Sequence, residues 1–398
     1  MLSARIETIK ERLGQRWPEL VNKSKSLSGF RAQATLYGGT ERHSGEALTL
    51  LYVGNGANLA FLLSTLFKQY AVQREFGSQN IWRAGAFVER HRDAADLSVI
   101  DLPWPYESRF KDEHRVVELP AWVRQKLAFG RTWEEVAGKF RKSARGEEMR
   151  KIRKYDLTYA ASRDPDIIND FYDNMYLPHT RHRFGDSAPV ASRAWMMRCA
   201  TRGILLQVLR GQEFIAGSVI SEYDGQPQSL WGGFAGHDWQ ELEGATSAIY
   251  YYSIQFAFAT GYRELDYCGS RPLLNDGVFK TKRRWGAAVY DDWSLETLLL
   301  RINRFDGGVS SFLANNPLLV RQGDQLVGKL LSVGEPVSAS MVKKAAKRFA
   351  SPGVDALNIY AMNGVHNDAP AAAESAACTI QIFDLQAVED PATAYCES

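Results

Sequence analysis

Apolar residues fall in two rhythms along this chain. Short apolar or alternating runs read as strands: ALTLLYVG (Ala47–Gly54), ADLSVIDLP, DLTYAAS, ILLQVLRGQ, EFIAGSVISEYDGQ, QSLWGGFAG, ELDYCG and AAVYDDWSL. Between them lie runs with helical spacing: RIETIKERLGQRW, NLAFLLSTLF, DPDIINDFYDNMYLPHTRHR, SRAWMMRCATRG, ATSAIYYYSIQFAFATGY and GVFKTKRRWG. Ala245, Ile249, Tyr252 and Phe256 share one face of the fifth of these, and Asp residues at the start of the third suit a helix cap. ELPAWVRQKL reads as a connector. After Leu300 come strand, helix, strand and a further strand in DQLVGKLLSV, SASMVKKAAKRFASPG, DALNIYAMNG and CTIQIFDLQ. NDAPAAAESAA (Asn367–Ala377) reads as a low-complexity loop, and the last ten residues as a frayed end. No internal repeat is visible.

These orders predict an α/β (α+β) chain in three regions. An N-terminal α/β region covers 1–130. A mixed, mainly antiparallel sheet flanked by helices covers 131–300, and a small C-terminal α/β domain covers 301–398. The length of 398 residues agrees with more than one core.

Composition narrows the partners. Formal net charge is +2, so an anionic partner must be met by local clusters rather than by the total. Lys139–Lys154 is such a cluster, with eight Lys or Arg against Glu147 and Glu148. Cys199, Cys268, Cys378 and Cys396 show neither zinc spacing nor a disulfide framework, and no metal site is expected. The N-terminus lacks a signal-peptide core, and no apolar run reaches the roughly 18 residues of a span. A cytoplasmic chain is expected, with peripheral attachment to the inner membrane left open.

FIAGSVIS, LWGGFAG, a helix leading to ATGY, ELDYCG and GVFKTKRRWG follow one another in an order that resembles the GNAT acyltransferase superfamily, in its FemAB-like branch. The likeness covers about residues 130–300, and residues 1–130 are open to reading as a degenerate GNAT-like half. It implies an N-acyltransferase that moves an acyl or aminoacyl group to an amine. Acyl-CoA or aminoacyl-tRNA would be the co-substrate, with no tightly bound cofactor. The acceptor would be an amine on a small molecule or a glycan precursor, in envelope polysaccharide or small-metabolite biosynthesis. One departure stands out. The (Gln/Arg)-x-x-Gly-x-(Gly/Ala) turn expected after the fourth strand is missing from GFAGHDWQELEGAT; RRWGAA (Arg283–Ala288) fits the string but lies one helix too late. This weakens the acyl-CoA reading and leaves room for aminoacyl-tRNA, the donor that the FemAB resemblance suggests. It also supports an alternative: a non-catalytic GNAT-like scaffold that binds a polyanion or a protein.

The candidate site follows from these segments. Asp266 ends a strand beside a loop, where a carboxylate can orient or deprotonate an attacking amine. Tyr251 is the candidate phenol of the Tyr250–Tyr252 run, since consecutive helix positions point in different directions. Lys280, after Phe279, occupies the position the resemblance marks for phosphate. Arg283 and Arg284 are its neighbours on the helix, either phosphate ligands or cations finishing a helix. Trp285 and Trp231 join the donor- and substrate-binding set. So do His182 and Arg183 in LPHTRHRFG and His237 after LWGGFAG.

Overall fold

The computed structural model describes residues 31–102, 114–184, 190–236, 244–292, 296–370, 372–375 and 377–397. RIETIKERLGQRW and His237 lie outside them. Contacts divide the chain into two units: Met1–Trp122 with Arg271–Asp276 and Asp291–Ser398, and Val123–Ser270 with Gly277–Tyr290.

The second unit holds a seven-stranded sheet. Its strands run in the order Ala288–Tyr290, Val123–Ala128, Glu264–Ser270, Gln226–Phe234, Glu213–Tyr223, Ile204–Arg210 and Leu157–Ser162. All neighbours are antiparallel except Gln226–Phe234 and Glu264–Ser270, which are parallel and joined by the helix Ala245–Ala259. This is the mixed, mainly antiparallel sheet that the element order implied. That helix packs on one face, against Leu265 and Tyr267. The helical run from Pro165 and the helix Arg193–Arg202 pack on the other, against Leu205 and Val219. Local capping matches the sequence: Asp164 accepts from the Asp166 amide at 2.8 Å, and Ser192 accepts from the Trp195 amide at 3.3 Å.

The first unit holds an eleven-stranded sheet. Its order is Ala372–Glu374, Thr379–Asp384, Ala356–Ala361, Gln325–Ser332, Leu318–Gln322, Val116–Pro120, Thr297–Ile302, Leu97–Leu102, Ala47–Gly54, Arg31–Glu41 and Phe67–Asn80. The expected N-terminal and C-terminal regions therefore share one sheet rather than forming two domains.

A repeat absent from the residues appears in the topology. Each sheet contains a parallel pair flanked by an antiparallel slot: Ala47–Gly54 with Leu97–Leu102, and Gln226–Phe234 with Glu264–Ser270. The strand that comes next in the chain, Val116–Pro120 or Ala288–Tyr290, is set beyond that slot. The slot itself is filled from elsewhere in the chain: by Thr297–Ile302 in one sheet and by Val123–Ala128 in the other. Each filler directly follows the other sheet's outer strand in sequence. ELPAWVRQKL is thus no connector. It ends one strand and begins another, with Val123, Gln125 and Leu127 buried and Arg124 and Lys126 on the opposite face.

The chain end also differs from expectation. Ala372–Glu374 forms a short strand, and Pro391–Glu397 forms a helix with Tyr395 and Cys396 buried. Lys329 explains the second. Its Nζ donates to the carbonyls of Tyr395 at 2.6 Å and Cys396 at 3.3 Å, and to the Tyr360 hydroxyl at 2.9 Å. Arg115 holds Asp390 at 2.7 Å from outside. Burial pulls the Lys329 ammonium down to about 7, against a smaller upward pull from Cys396. An unfolded lysine titrates near 10.4. Between these values the unfolded chain binds the extra proton, so stability rises with pH across this window. Lys329→Met is expected to flatten that rise in urea midpoints measured from about pH 7 to 10. Parallel slopes in the two proteins would remove Lys329 as its source.

Candidate functional site

The parallel pair of the seven-stranded sheet is held at one rung, Gln228 to Asp266. Beyond it both strands are irregular. Gln226–Phe234 breaks its other ladder between Ser229 and Gly232, around Leu230 and Trp231. Glu264–Ser270 breaks its ladder between Asp266 and Gly269, with Cys268 at φ 60°. A left-handed non-glycine residue costs about 1–2 kcal/mol and persists where its surroundings hold it. Here the buried Lys282 does so, donating from Nζ to the carbonyls of Gly269 at 2.6 Å and Cys268 at 3.2 Å. Bulges bend strands, so the pair parts toward its C-terminal ends and opens a wedge.

The other parallel pair stays zipped from Leu50–Leu97 through Gly54–Asp101. Its strand-to-helix turn is satisfied internally. The Gly56 amide donates to Tyr52 Oη at 2.9 Å, and the Asn58 amide to Asp101 Oδ2 at 3.2 Å. The chain's own carboxylate fills the place an anion would take at that helix start. Of the parallel pairs among the described residues, only that of the seven-stranded sheet is held at a single rung.

Asp266 stands at the mouth of the wedge. Its Oδ2 accepts from Arg124 Nη2 at 2.6 Å and Nε at 3.1 Å, and from Tyr290 Oη at 2.8 Å. Its Oδ1 accepts from the Cys268 amide at 2.7 Å. Burial raises the Tyr290 phenol's pKa, and the Asp266 charge raises it further. Burial lowers the Arg124 pKa, but the Asp266 charge, its hydrogen bond and the neighbouring Cys268 and Tyr290 groups together outweigh it, and the guanidinium stays protonated. Burial, then Asp266, pushes the Cys268 thiol up to about 11, so it is a neutral thiol near pH 7.

The structure separates the two residues expected to act together. Leu265 and Tyr267 face the helix Ala245–Ala259, so Asp266 faces the opposite side. Tyr251, on that helix, sits among the rings of Trp133 at 5.8 Å, Tyr252 at 5.3 Å and Trp285 at 6.1 Å. It lies on the other face from Asp266. Trp285 is fully buried and packs on Phe140 at 5.2 Å, which makes it core rather than a ligand surface. Arg284 pairs with Glu148 at 2.6 Å, and Ser247 donates to the same carboxylate at 2.5 Å. Arg283 is buried. Lys280 is half-buried, with no hydrogen bond among the described residues. Gly286, from the accidental RRWGAA match, has φ 83° and would bring a Cβ to 2.9 Å from the Lys139 carbonyl. It serves a tight turn.

Trp231 lies at the bulge, on the face of the Pro165–Arg202 helices, 6.3 Å from the Tyr176 ring. His182 and Arg183 are exposed on the helix Leu177–Phe184, and His179 between the turns is buried against Phe234 at 4.7 Å. Burial, then Arg183 and His182, pull its imidazole down to about 4. Gln228 shares the Asp266 face with this layer. Its partner Ser221 lies two residues from Val219, which packs in the layer's core. Arg124, Lys282 and Tyr290 escaped the sequence reading. Arg124 lies in the filler strand ahead of the expected boundary. The signal for Lys282 was its three-residue spacing from Phe279 on one helix face.

Among the described residues no helix is long and apolar enough to cross a membrane, and no group of three or more potential metal ligands is present. No protein-family model matches the chain, and no curated protein matches it. Solved structures similar to it include FemX, at 12% identity over 68% of this chain and 88% of that one, with a TM-score of 0.36. The C-terminal domain of a putative lysylphosphatidylglycerol synthetase from Agrobacterium fabrum is similar at 10% identity, over 68% and 81%, with a TM-score of 0.34. A GCN5-related N-acetyltransferase from Sphaerobacter thermophilus is similar at 11% identity, over 65% and 78%, with a TM-score of 0.32.

Proposed function

We propose that the seven-stranded unit transfers an acyl or aminoacyl group to an amine, in a ternary complex of donor and acceptor. The observation that carries this reading is the parallel pair held at one rung, with bulges on both sides of the opening. The Ala235 amide is spent on the Ile215 carbonyl at 2.8 Å, but backbone amides between Trp231 and Gly236 that point away from Glu213–Tyr223 can polarise a donor carbonyl lying in the wedge. The amine nitrogen attacks that carbon, the donor's thioester or ester bond breaks, and the nitrogen's proton leaves to the departing group or to water. Asp266 orients the attack rather than deprotonating the amine, because both its oxygens already accept hydrogen bonds. Acyl-CoA or aminoacyl-tRNA supplies the group. Lys151 lies against Gly244, at the start of the helix Ala245–Ala259, with Lys142, Arg145, Arg150 and Arg153 exposed on the same segment. These cations suit a donor arm rich in phosphate.

The test incubates the purified chain with acyl-CoA and aminoacyl-tRNA donors and follows donor consumption. Asp266→Asn and Lys280→Ala serve as controls. Consumption that falls in the Asp266 variant supports the reading, and no consumption with either donor class overturns it. The absent glycine turn in GFAGHDWQELEGAT favours a second reading, a scaffold that binds polyanions without turnover. Salt-steep tRNA binding without transfer would identify it.

A further inference from the structure

We infer that Arg124 is a docking point for an oxyanion, a carboxylate or phosphate, carried by the acceptor. The acceptor's part rests on the transferase reading; the anion site itself does not.

Arg124 comes from the filler strand Val123–Ala128 and points to the Asp266 face. Register places it opposite Tyr290, and places Asp266 opposite Lys126. One carboxylate oxygen accepts from Nε at 3.1 Å and from Nη2 at 2.6 Å, and Nη2 also reaches Cys268 Sγ at 3.9 Å. Nη1 donates to nothing among the described residues. The side chain is 21% exposed against 9% for Asp266, so the carboxylate sits behind the guanidinium. Arg124 is therefore a fork held from behind with an edge to spare. A planar guanidinium fixed in this way loses little freedom when a second oxyanion binds.

The charges around it favour an anion. Arg124, Lys126 and Lys282 are three cations; Asp266 and Glu264 are two carboxylates. Lys126 meets Glu264 at 3.1 Å and lies 5.1 Å from the Tyr290 ring centre. Lys282 is bound to the Cys268 and Gly269 carbonyls. The thiol of Cys268 and the phenol of Tyr290 are both neutral near pH 7, so neither adds a negative charge.

The test titrates the full chain, with its arginine guanidinium groups isotopically labelled, against inorganic phosphate and against acetate at constant ionic strength. Arg124→Lys assigns the Arg124 resonance. A saturable shift of that resonance is expected in wild type; calorimetric titration of both proteins with the same anions reads the affinities, and that of the Lys variant is expected to be about tenfold weaker or worse, since lysine offers a point charge and no fork. Lys retains a partner for Asp266, and far-UV circular dichroism checks the fold. Saturation by phosphate alone points to a phosphate-bearing acceptor, and saturation by acetate to a carboxylate. The inference is overturned if neither anion saturates the wild-type signal, or if Arg124→Lys binds as tightly as wild type. Donor consumption is scored separately. Anion binding without consumption keeps the site and discards the transferase reading, and consumption without anion binding does the reverse.

Discussion

Replacing Leu300 by aspartate is expected to unfold the eleven-stranded sheet. Thr297–Ile302 is the strand that joins Leu97–Leu102 to Val116–Pro120, antiparallel to both. Leu300 pairs with Val99 on one side and Val117 on the other, and all three belong to one buried cluster. Cutting a buried leucine to alanine costs about 2–5 kcal/mol. An aspartate removes the same contacts and places an unpaired carboxylate where the leucine is 3% exposed. Against a total stability of about 5–15 kcal/mol, that loss takes most or all of it. Leu300→Met keeps volume and should stay within about 1.5 kcal/mol of wild type. Urea unfolding followed by far-UV circular dichroism reads both. A Leu300→Asp protein that unfolds at the wild-type urea midpoint would show that the slot is not filled by this strand.

The same exchange explains what the sequence made legible. Ala47–Gly54, Leu97–Leu102 and Glu213–Tyr223 were readable because each is mostly apolar and buried along most of its length. So was the order of elements in the seven-stranded sheet, because local rhythm and capping set it. Val123–Ala128 was not readable: its buried positions include Gln125, and its other face carries Arg124 and Lys126. Alternation that mixes polar residues onto the buried face looks like a connector. Nor can periodicity say which sheet a strand joins, since that choice lies in non-local pairing. The domain boundaries therefore differ, and the strands beside them, Val123–Ala128 and Thr297–Ile302, went unread. At the site, Asp266 was singled out as the end of a strand, whereas it lies inside Glu264–Ser270, where the ladder breaks. Its partners were not, because Arg124 is separated from it by 142 residues. Tyr251 and Trp285 were assigned to ligand binding on residue type, and aromatic residues serve a core equally well. The helix Pro391–Glu397 was hidden for a related reason: what holds it is Lys329, a residue whose usual place is the surface.

Asp266→Asn is expected to slow transfer by about one to two orders of magnitude while leaving the shape of the pH profile unchanged. The amide keeps the size of the carboxylate and can still accept from the Cys268 amide. It loses the charge that fixes Arg124 and the strong acceptor that orients Tyr290. Removing one partner of a fully buried pair costs about 3–5 kcal/mol. This pair is 21% and 9% exposed, so solvent screening makes the loss smaller. A tenfold change is about 1.4 kcal/mol, and two such steps are within what remains. The pH profile separates the two roles an aspartate can have here. As the general base, Asp266 would supply the acidic limb, and the limb would vanish in the asparagine variant. As the residue that positions Arg124, it leaves the limb in place and raises the acceptor's KM, because the group it orients holds the acceptor. The hydrogen bonds favour the second outcome: the Oδ2 lone pairs face Arg124 and Tyr290, and Oδ1 faces the Cys268 amide. An amine reaching Asp266 would have to share Oδ1 with the Cys268 amide or displace a partner of Oδ2. Loss of the acidic limb in Asp266→Asn, with the acceptor's KM unchanged, would return Asp266 to the role of base and leave Arg124 as its partner alone.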